Sequence, residues 1–293
     1  MRQKKKVDGT TILYHYLQKS LQNDDVWLYQ NLVAKLITSL GVWIPPSIYA
    51  HLPIALPYVV RDHTCRKRKP GQVNQWSSPN EHGFLRDDNS LIKNLNNTFS
   101  IHTQSFTEYN KKRMGKGFIA AHVWRMTPDG EYAARNHLGN SFWPNLVWLP
   151  SNVAKLTDRE GSFAQKFVQA LSLKIYRDVD IHKSLLPFVK DAWELFPVEH
   201  GIMDQVLPEL DELNYFEVPE NFLPRKINDI RIVSEGLGRI SDGLSLENKI
   251  LHTRYTEGLP RVKKEIAKSL SHYLEKYYKA AELSFNSTIK PIT

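Results

Sequence analysis

One cysteine in 293 residues, Cys65, sets the first limit on how this chain holds itself together. No intramolecular disulfide can form, and a zinc site built on clustered thiolates is excluded. Stability must come from burying apolar surface, and a chain of this length can do that without covalent staples. The apolar and charged fractions, 41% and 24%, are those of an ordinary globular protein. A lone cysteine also fits a reducing compartment, so a cytoplasmic location is expected.

The most apolar stretch, VWIPPSIYAHLPIALPYVV at 42–60, carries Pro45, Pro46, Pro53 and Pro57 together with His51. Four prolines break a spanning helix, so no membrane segment is expected there. The opening MRQKKKVDG is basic but has no apolar h-region behind it, so it does not read as a secretory signal. Lys and Arg number 39 against 31 Asp and Glu, a net charge of +8. Such a surplus favours a partner made of phosphate and speaks to association rather than fold.

Residues 10–41 read as two helices. Ile12, Leu13, Leu17 and Leu21 share a face of the first; NDD at 23–25 offers an N-cap for the second. Leu32, Val33, Leu36, Ile37 and Leu40 give it a helical spacing, and Gly41 is a natural stop. Residues 61–90 are polar and turn-rich, with the charge run Arg66, Lys67, Arg68 and Lys69. That run is a solvated loop or a contact to a phosphate backbone. Residues 159–176 predict a helix with an apolar stripe of Phe163, Phe167, Leu171 and Ile175. The chain then turns acidic and irregular over 208–224. It ends in a long helix from near Pro260, with Val262, Leu270, Leu274, Tyr277 and Ala281 on one face and lysines on the other.

The stretch GFIAAHVWRM, 117–126, reads as a short buried strand with a histidine, His122, inside it. A basic cluster, Lys111, Lys112, Arg113 and Lys116, precedes it. After a loop over 127–143, Asn145 opens a second apolar strand, Leu146-Val147-Trp148-Leu149, which Pro150 and Ser151 end. Asn152 starts the next helix, with Lys155 one turn on. A core histidine with satisfied ring nitrogens is one reading of His122. A general base held on a rigid strand is the other, because imidazole titrates near neutrality.

The ordered set AAHVW, PNLVWLP and SNVAKLTD resembles the HNH, or ββα-metal, nucleases over residues 115–177. The resemblance implies that His122 is the general base and that Asn145 pins the loop between the strands to orient it. It implies that Asn152 is a ligand for Mg²⁺ (or Mn²⁺) and that Lys155 lies near the phosphate. Two departures stand out. Ala121 occupies the position where many members carry a second metal ligand; either a loop residue, with Asp129, Glu131, Asn136 and His137 as candidates, supplies it, or the ion is held by Asn152 and phosphate oxygens alone. The paired cysteines of a structural zinc are missing, so no structural zinc is expected, and Phe142, Trp143, Trp148 and Phe163 would hold the hairpin by packing.

The expected fold class is therefore α+β and mainly helical. A small ββα-metal core at 111–178 sits between mainly helical regions at 1–110 and 179–293, the first a possible DNA-binding region. The expected activity is metal-dependent, site-specific cleavage of double-stranded DNA in the manner of a type II restriction endonuclease, by a homodimer on a palindromic site. A homing-type or nicking nuclease, and a non-catalytic DNA-binding protein built on a decayed module, remain open. Arg66, Lys67, Arg68, Lys69, Lys112, Arg113 and Lys116 are expected to touch the DNA backbone. Arg125 and Arg135 could reach a groove, or form salt bridges and turn caps instead. RMGKGF at 113–118 lacks the spacing of a phosphate-binding loop.

Overall fold

A computed structural model describes residues 23–66, 71, 74–104, 107–197, 207–251 and 256–289. The helix expected before residue 23, and Lys67, Arg68 and Lys69, lie outside the described residues. The architecture is α+β, as expected, with a mixed five-stranded sheet among helices and a separate parallel pair of strands.

Helix α1, Asn23–Leu40, buries Val33 and Ile37, while Leu32 faces outward with Trp27 and Leu28. It stops where anticipated: Gly41 N–H donates to Ile37 O at 2.8 Å. A Cβ at Gly41 would stand 2.6 Å from that oxygen, so only glycine lets the chain turn into strand β1, Val42–Trp43. The proline-rich run that follows is core. Helix α2, Pro46–His51, begins on a proline whose missing N–H costs nothing there, and strand β2, Val59–Arg61, ends the run. Trp43, Ile44, Tyr49, Leu52 and Ile54 are all buried. Among the described residues no helix is long and apolar enough to cross a membrane.

The polar segment at 61–90 is more ordered than its composition suggests. Strand β3, Leu85–Asp87, pairs in parallel with β2, and helix α3, Ser90–Asn94, follows. Strand β4, Ser100–His102, leads to β5, Phe118–His122. After the loop comes a single turn, α4, His137–Asn140, then β6, Leu146–Pro150, and helix α5, Ser151–Thr157. β5 and β6 are antiparallel, with Ala121 opposite Val147 and His122 opposite Leu146. Ser151 N–H donates to Gly117 O at 2.7 Å and closes the open end of the hairpin. The expected strand–loop–strand–helix order is therefore present. Phe142, Trp143 and Trp148 are buried, and Phe163 is half-buried.

Helix α6, Phe163–Tyr176, is capped by Ser162, whose hydroxyl accepts from Gln165 N–H at 3.2 Å. Its Phe167, Leu171 and Ile175 are buried as the stripe predicts. Helix α7, Leu186–Glu194, follows, and the acidic stretch then yields strand β7, Asn214–Glu217. Only Asn214 and Phe216 of β7 are buried, a period of two. Helices α8, Phe222–Ser241, and α9, Lys264–Ile289, pack together and exchange two hydrogen bonds between Ser234 and Ser271. The lysines at 263, 264, 268, 276 and 279 are all exposed.

The sheet order is β4-β7-β1-β6-β5. Its strands come from all three sequence regions, and one continuous apolar core runs beneath them. Trp148 lies on β6 between β1 and β5, opposite Ala120 and Val42 and edge-on to Phe216 at 5.2 Å. Replacing it with alanine removes contacts between strands of all three regions. The Trp148→Ala variant should lose about 3–5 kcal/mol in urea unfolding, with the transition still cooperative.

Candidate active site around His122

His122 closes strand β5 and is only 8% exposed. Its Nε2 lies 3.2 Å from the carbonyl oxygen of Asn140. A carbonyl can only accept, so in the neutral ring Nε2 carries the proton and Nδ1 keeps the lone pair. Nδ1 is buried and has no hydrogen-bond partner. The ring faces a cavity of about 230 Å³ whose other described walls are Arg61, His63, Arg125, Tyr132, Ala134 and Arg135. Burial pushes the imidazole down to about 4, and the nearby Arg61 and Arg125 charges push the same way against the Asn140 bonds. At neutral pH the ring is a free base.

Asn145 is fully buried in the loop-to-strand turn. Its Oδ1 accepts from Trp124 N–H at 2.7 Å, and its Nδ2 donates to Gly139 O at 2.9 Å. Its own carbonyl accepts from Val123 N–H at 3.0 Å. One side chain thus ties the exit of β5 to α4, where Asn140 holds the His122 ring. Asn140 is anchored in turn by Nδ2–H to Val59 O, 3.1 Å away on β2. Gly139 sits tightly here: a Cβ would be 2.5 Å from Ala133 O.

The remaining residues expected at the site are scattered by comparison. Arg125 and Arg135 line the cavity; Arg135 also lies 3.7 Å from Glu131 and 5.3 Å above the Tyr132 ring. Asn152 and Lys155 stand on the exposed face of α5 and are not among the described residues lining the cavity. Lys112, Arg113 and Lys116 are exposed ahead of β5. Arg66 is engaged within the fold, 2.6 Å from Asp88, 3.2 Å from Ser90 Oγ and 5.7 Å over Trp76.

A Mg²⁺ site needs several oxygen ligands, mostly carboxylates and waters. The described walls around His122 offer guanidinium groups, imidazoles and one phenol, and no carboxylate or amide. None of the four proposed second ligands joins it. Asp129 accepts from the Thr127 hydroxyl, Glu131 faces Arg135, and Asn136 caps α4 by accepting from Leu138 N–H at 2.8 Å. His137 is stacked on Phe84 at 4.1 Å and meets Tyr273 edge-on. Among the described residues no cluster of three or more His, Cys, Asp or Glu forms anywhere. The donor set facing His122 does not fit a hard divalent cation.

Arg61, His63, Tyr132 and Asn140 were not expected at the site from the sequence. Arg61 and His63 follow the apolar run 42–60, far from His122 along the chain, and no spacing rule connects them. Asn140 acts through its backbone carbonyl, which leaves no signature in residue type. No protein-family model, no curated protein and no solved structure matches this chain.

Two stability predictions follow from the geometry. Asn145→Ala leaves the Trp124 N–H and Gly139 carbonyl unpaired in a dry site. The expected loss is on the order of 3 kcal/mol in chemical denaturation. His122 and His137 are both held at about 4 in the folded chain, chiefly by burial, against an ordinary 6.5. The unfolded chain therefore takes up protons that the folded one refuses, so stability falls as pH drops from about 6.5 towards 4. The urea midpoint should decline across that window, and His122→Asn, which does not titrate, should show a shallower decline.

Proposed function

We propose that this protein is a DNA endonuclease of the HNH type that hydrolyses phosphodiester bonds with His122 as general base. The observation that carries the proposal is the ring itself. It sits at the end of the first strand of a strand–loop–strand–helix unit, with Nε2 tied to Asn140, Nδ1 buried without a partner, and the residue lining an arginine-rich cavity. A water admitted to Nδ1, which the packing shields in this structure, would give its proton to that nitrogen as its oxygen attacks phosphorus, while the guanidinium groups offset the negative charge that builds on the phosphate. Asn145 acts as a positioning residue, since it touches only backbone.

The proposal includes site-specific action on double-stranded DNA in the cytoplasm. It also includes a homodimer, because two-fold protein symmetry matches a palindromic site. Arg66, Lys112, Arg113, Lys116 and Lys155 belong to it as backbone contacts, Arg66 only if DNA competes with Asp88. Mg²⁺ or Mn²⁺ enters as a requirement to be measured, brought by the resemblance. A second reading, a DNA-binding protein without activity, is favoured by the same burial that makes the His122 imidazole a weak base.

The test is incubation of long duplex DNA with the protein and with His122→Ala, in Mg²⁺, in Mn²⁺ and in EDTA. Discrete fragments that disappear in His122→Ala are expected, a loss of at least about a hundredfold in rate. Cleavage that survives the substitution overturns the role of His122. Absence of cleavage together with binding that weakens steeply with salt supports the second reading.

A further inference from the structure

Several arginines of this fold are paired with carboxylates. Arg66 meets Asp88 at 2.6 Å, Arg231 meets Glu235 at 2.7 Å and Arg239 meets Glu247 at 3.1 Å. Arg61 and Arg125 are not: among the described residues neither side chain makes an ion pair or a hydrogen bond. Yet both line the cavity that His122 faces, and each charge is felt by the other and by the His122 ring. Asp158, Asp87 and Asp88 act on Arg61 only from longer range. Asp87 is occupied by Trp76 Nε1, Ser90 Oγ and Leu91 N–H at 2.9–3.0 Å, and Asp88 by Arg66. Two like charges converge on a partly enclosed space with no carboxylate among its described walls. Such an arrangement costs stability unless something negative completes it.

We propose that Arg61 and Arg125 form a cradle for a phosphate oxyanion, held in the cavity that His122 lines. A guanidinium presents a planar fork of donors that matches phosphate oxygens, and a phosphodiester has two non-bridging oxygens to share between two forks. The cavity, about 230 Å³, has room for roughly eight waters at about 30 Å³ each, enough for a phosphate and the atoms beside it. Arg61, Tyr132 and Arg135 also line an open groove of about 840 Å³, whose other walls carry Asp62, Glu81, Asp129, Glu131 and Glu194. Arg61 comes from β2, outside the hairpin–helix unit, and makes the preceding region part of the site. The cradle rests on the nuclease reading for the role of His122, but its binding can be measured without catalysis.

The experiment is calorimetric titration of the whole protein in EDTA, first with inorganic phosphate and then with a short duplex. Imidazole ¹⁵N resonances are followed in parallel. Phosphate is expected to bind, to shift the His122 signals and to raise the melting temperature. Arg61→Ala and Arg125→Ala should each weaken binding about tenfold or more. Lys268→Ala, which removes a charge from the exposed face of α9, should bind as the wild type does. Should Arg61→Ala fail to fold, Arg61→Lys carries the test, and binding as tight as the wild type in that variant overturns the cradle. Wild-type affinity in both alanine variants, or binding without a His122 shift, overturns it as well.

Displacement of phosphate by the duplex assigns the cradle to a nucleic-acid backbone; phosphate that the duplex leaves in place assigns it to a free phosphate compound. A protein that binds phosphate here but cleaves nothing keeps the cradle and loses the nuclease reading. One that cleaves DNA while both arginine variants bind phosphate normally keeps the nuclease reading and loses the cradle.

Discussion

The buried amide of Asn145 is the bond on which the His122 site depends. The segment 123–144 leaves β5 and returns to β6, and a connection of that length without a fastening would be free to move. Asn145 fastens it in the middle. It accepts from Trp124 at one end and donates to Gly139 at the other, in a place no water reaches. Both partners are backbone, so the loop is held in one path whatever its exposed side chains are. Asn140 follows Gly139 directly, and its carbonyl then fixes which nitrogen of His122 is protonated. The chemistry available at Nδ1 is therefore set two hydrogen bonds away, by a residue that does not itself line the cavity.

The electrostatics of the site differ from those of the helices around it. There many charges are paired, as between Lys226 and Asp229 or Lys279 and Glu275. Around His122 positive charge is collected and left unpaired, and the ring stays neutral because of burial and that charge together. A bound anion would reverse part of this. It would offset Arg61 and Arg125 and so make Nδ1 a stronger base at the moment a phosphate lies beside it. Burial and like charge cost the empty fold some stability, and they leave the site poised for a negative ligand.

Much of this arrangement was legible in the sequence because it rests on local patterns. The stripe of Phe167, Leu171 and Ile175, the stop at Gly41 and the order of His122, Asn145 and Asn152 on strand, turn and helix are all short-range features. The residues that complete the cavity were not legible, for a physical reason. Arg61 reaches His122 only because β2 passes beside α4, a contact carried by Asn140 and Val59. No periodicity within either segment encodes that approach. β1 and β7 escaped notice for a related reason. Val42 and Trp43 sit in a proline-rich run, and Asn214–Glu217 in an acidic one, and each becomes a strand by pairing with segments distant in sequence, with one another and with β6 or β4. Asn152 illustrates the converse. Its place at the start of a helix was readable, but which way the helix would turn it was decided by Val153, Ala154 and Thr157, which take the buried face.

The hairpin–helix unit is consequently not a self-sufficient module. β6 is paired on both sides, with β5 and with β1, and Trp148 and Leu149 are sealed by elements that come from outside residues 111–178. Cut free, the unit would expose a strand edge and a tryptophan that has lost its Phe216 partner, both costly in water. The same dependence governs the site. Val59 O anchors Asn140, Arg61 supplies half of the unpaired charge, and both belong to β2. β2 is itself held by the run that begins at α2. In that run Ile54 both donates to and accepts from the buried hydroxyl of Tyr277 on α9. A disturbance in the long C-terminal helix therefore has a continuous path of buried contacts to His122. The flanking regions are structural parts of the site rather than additions to it.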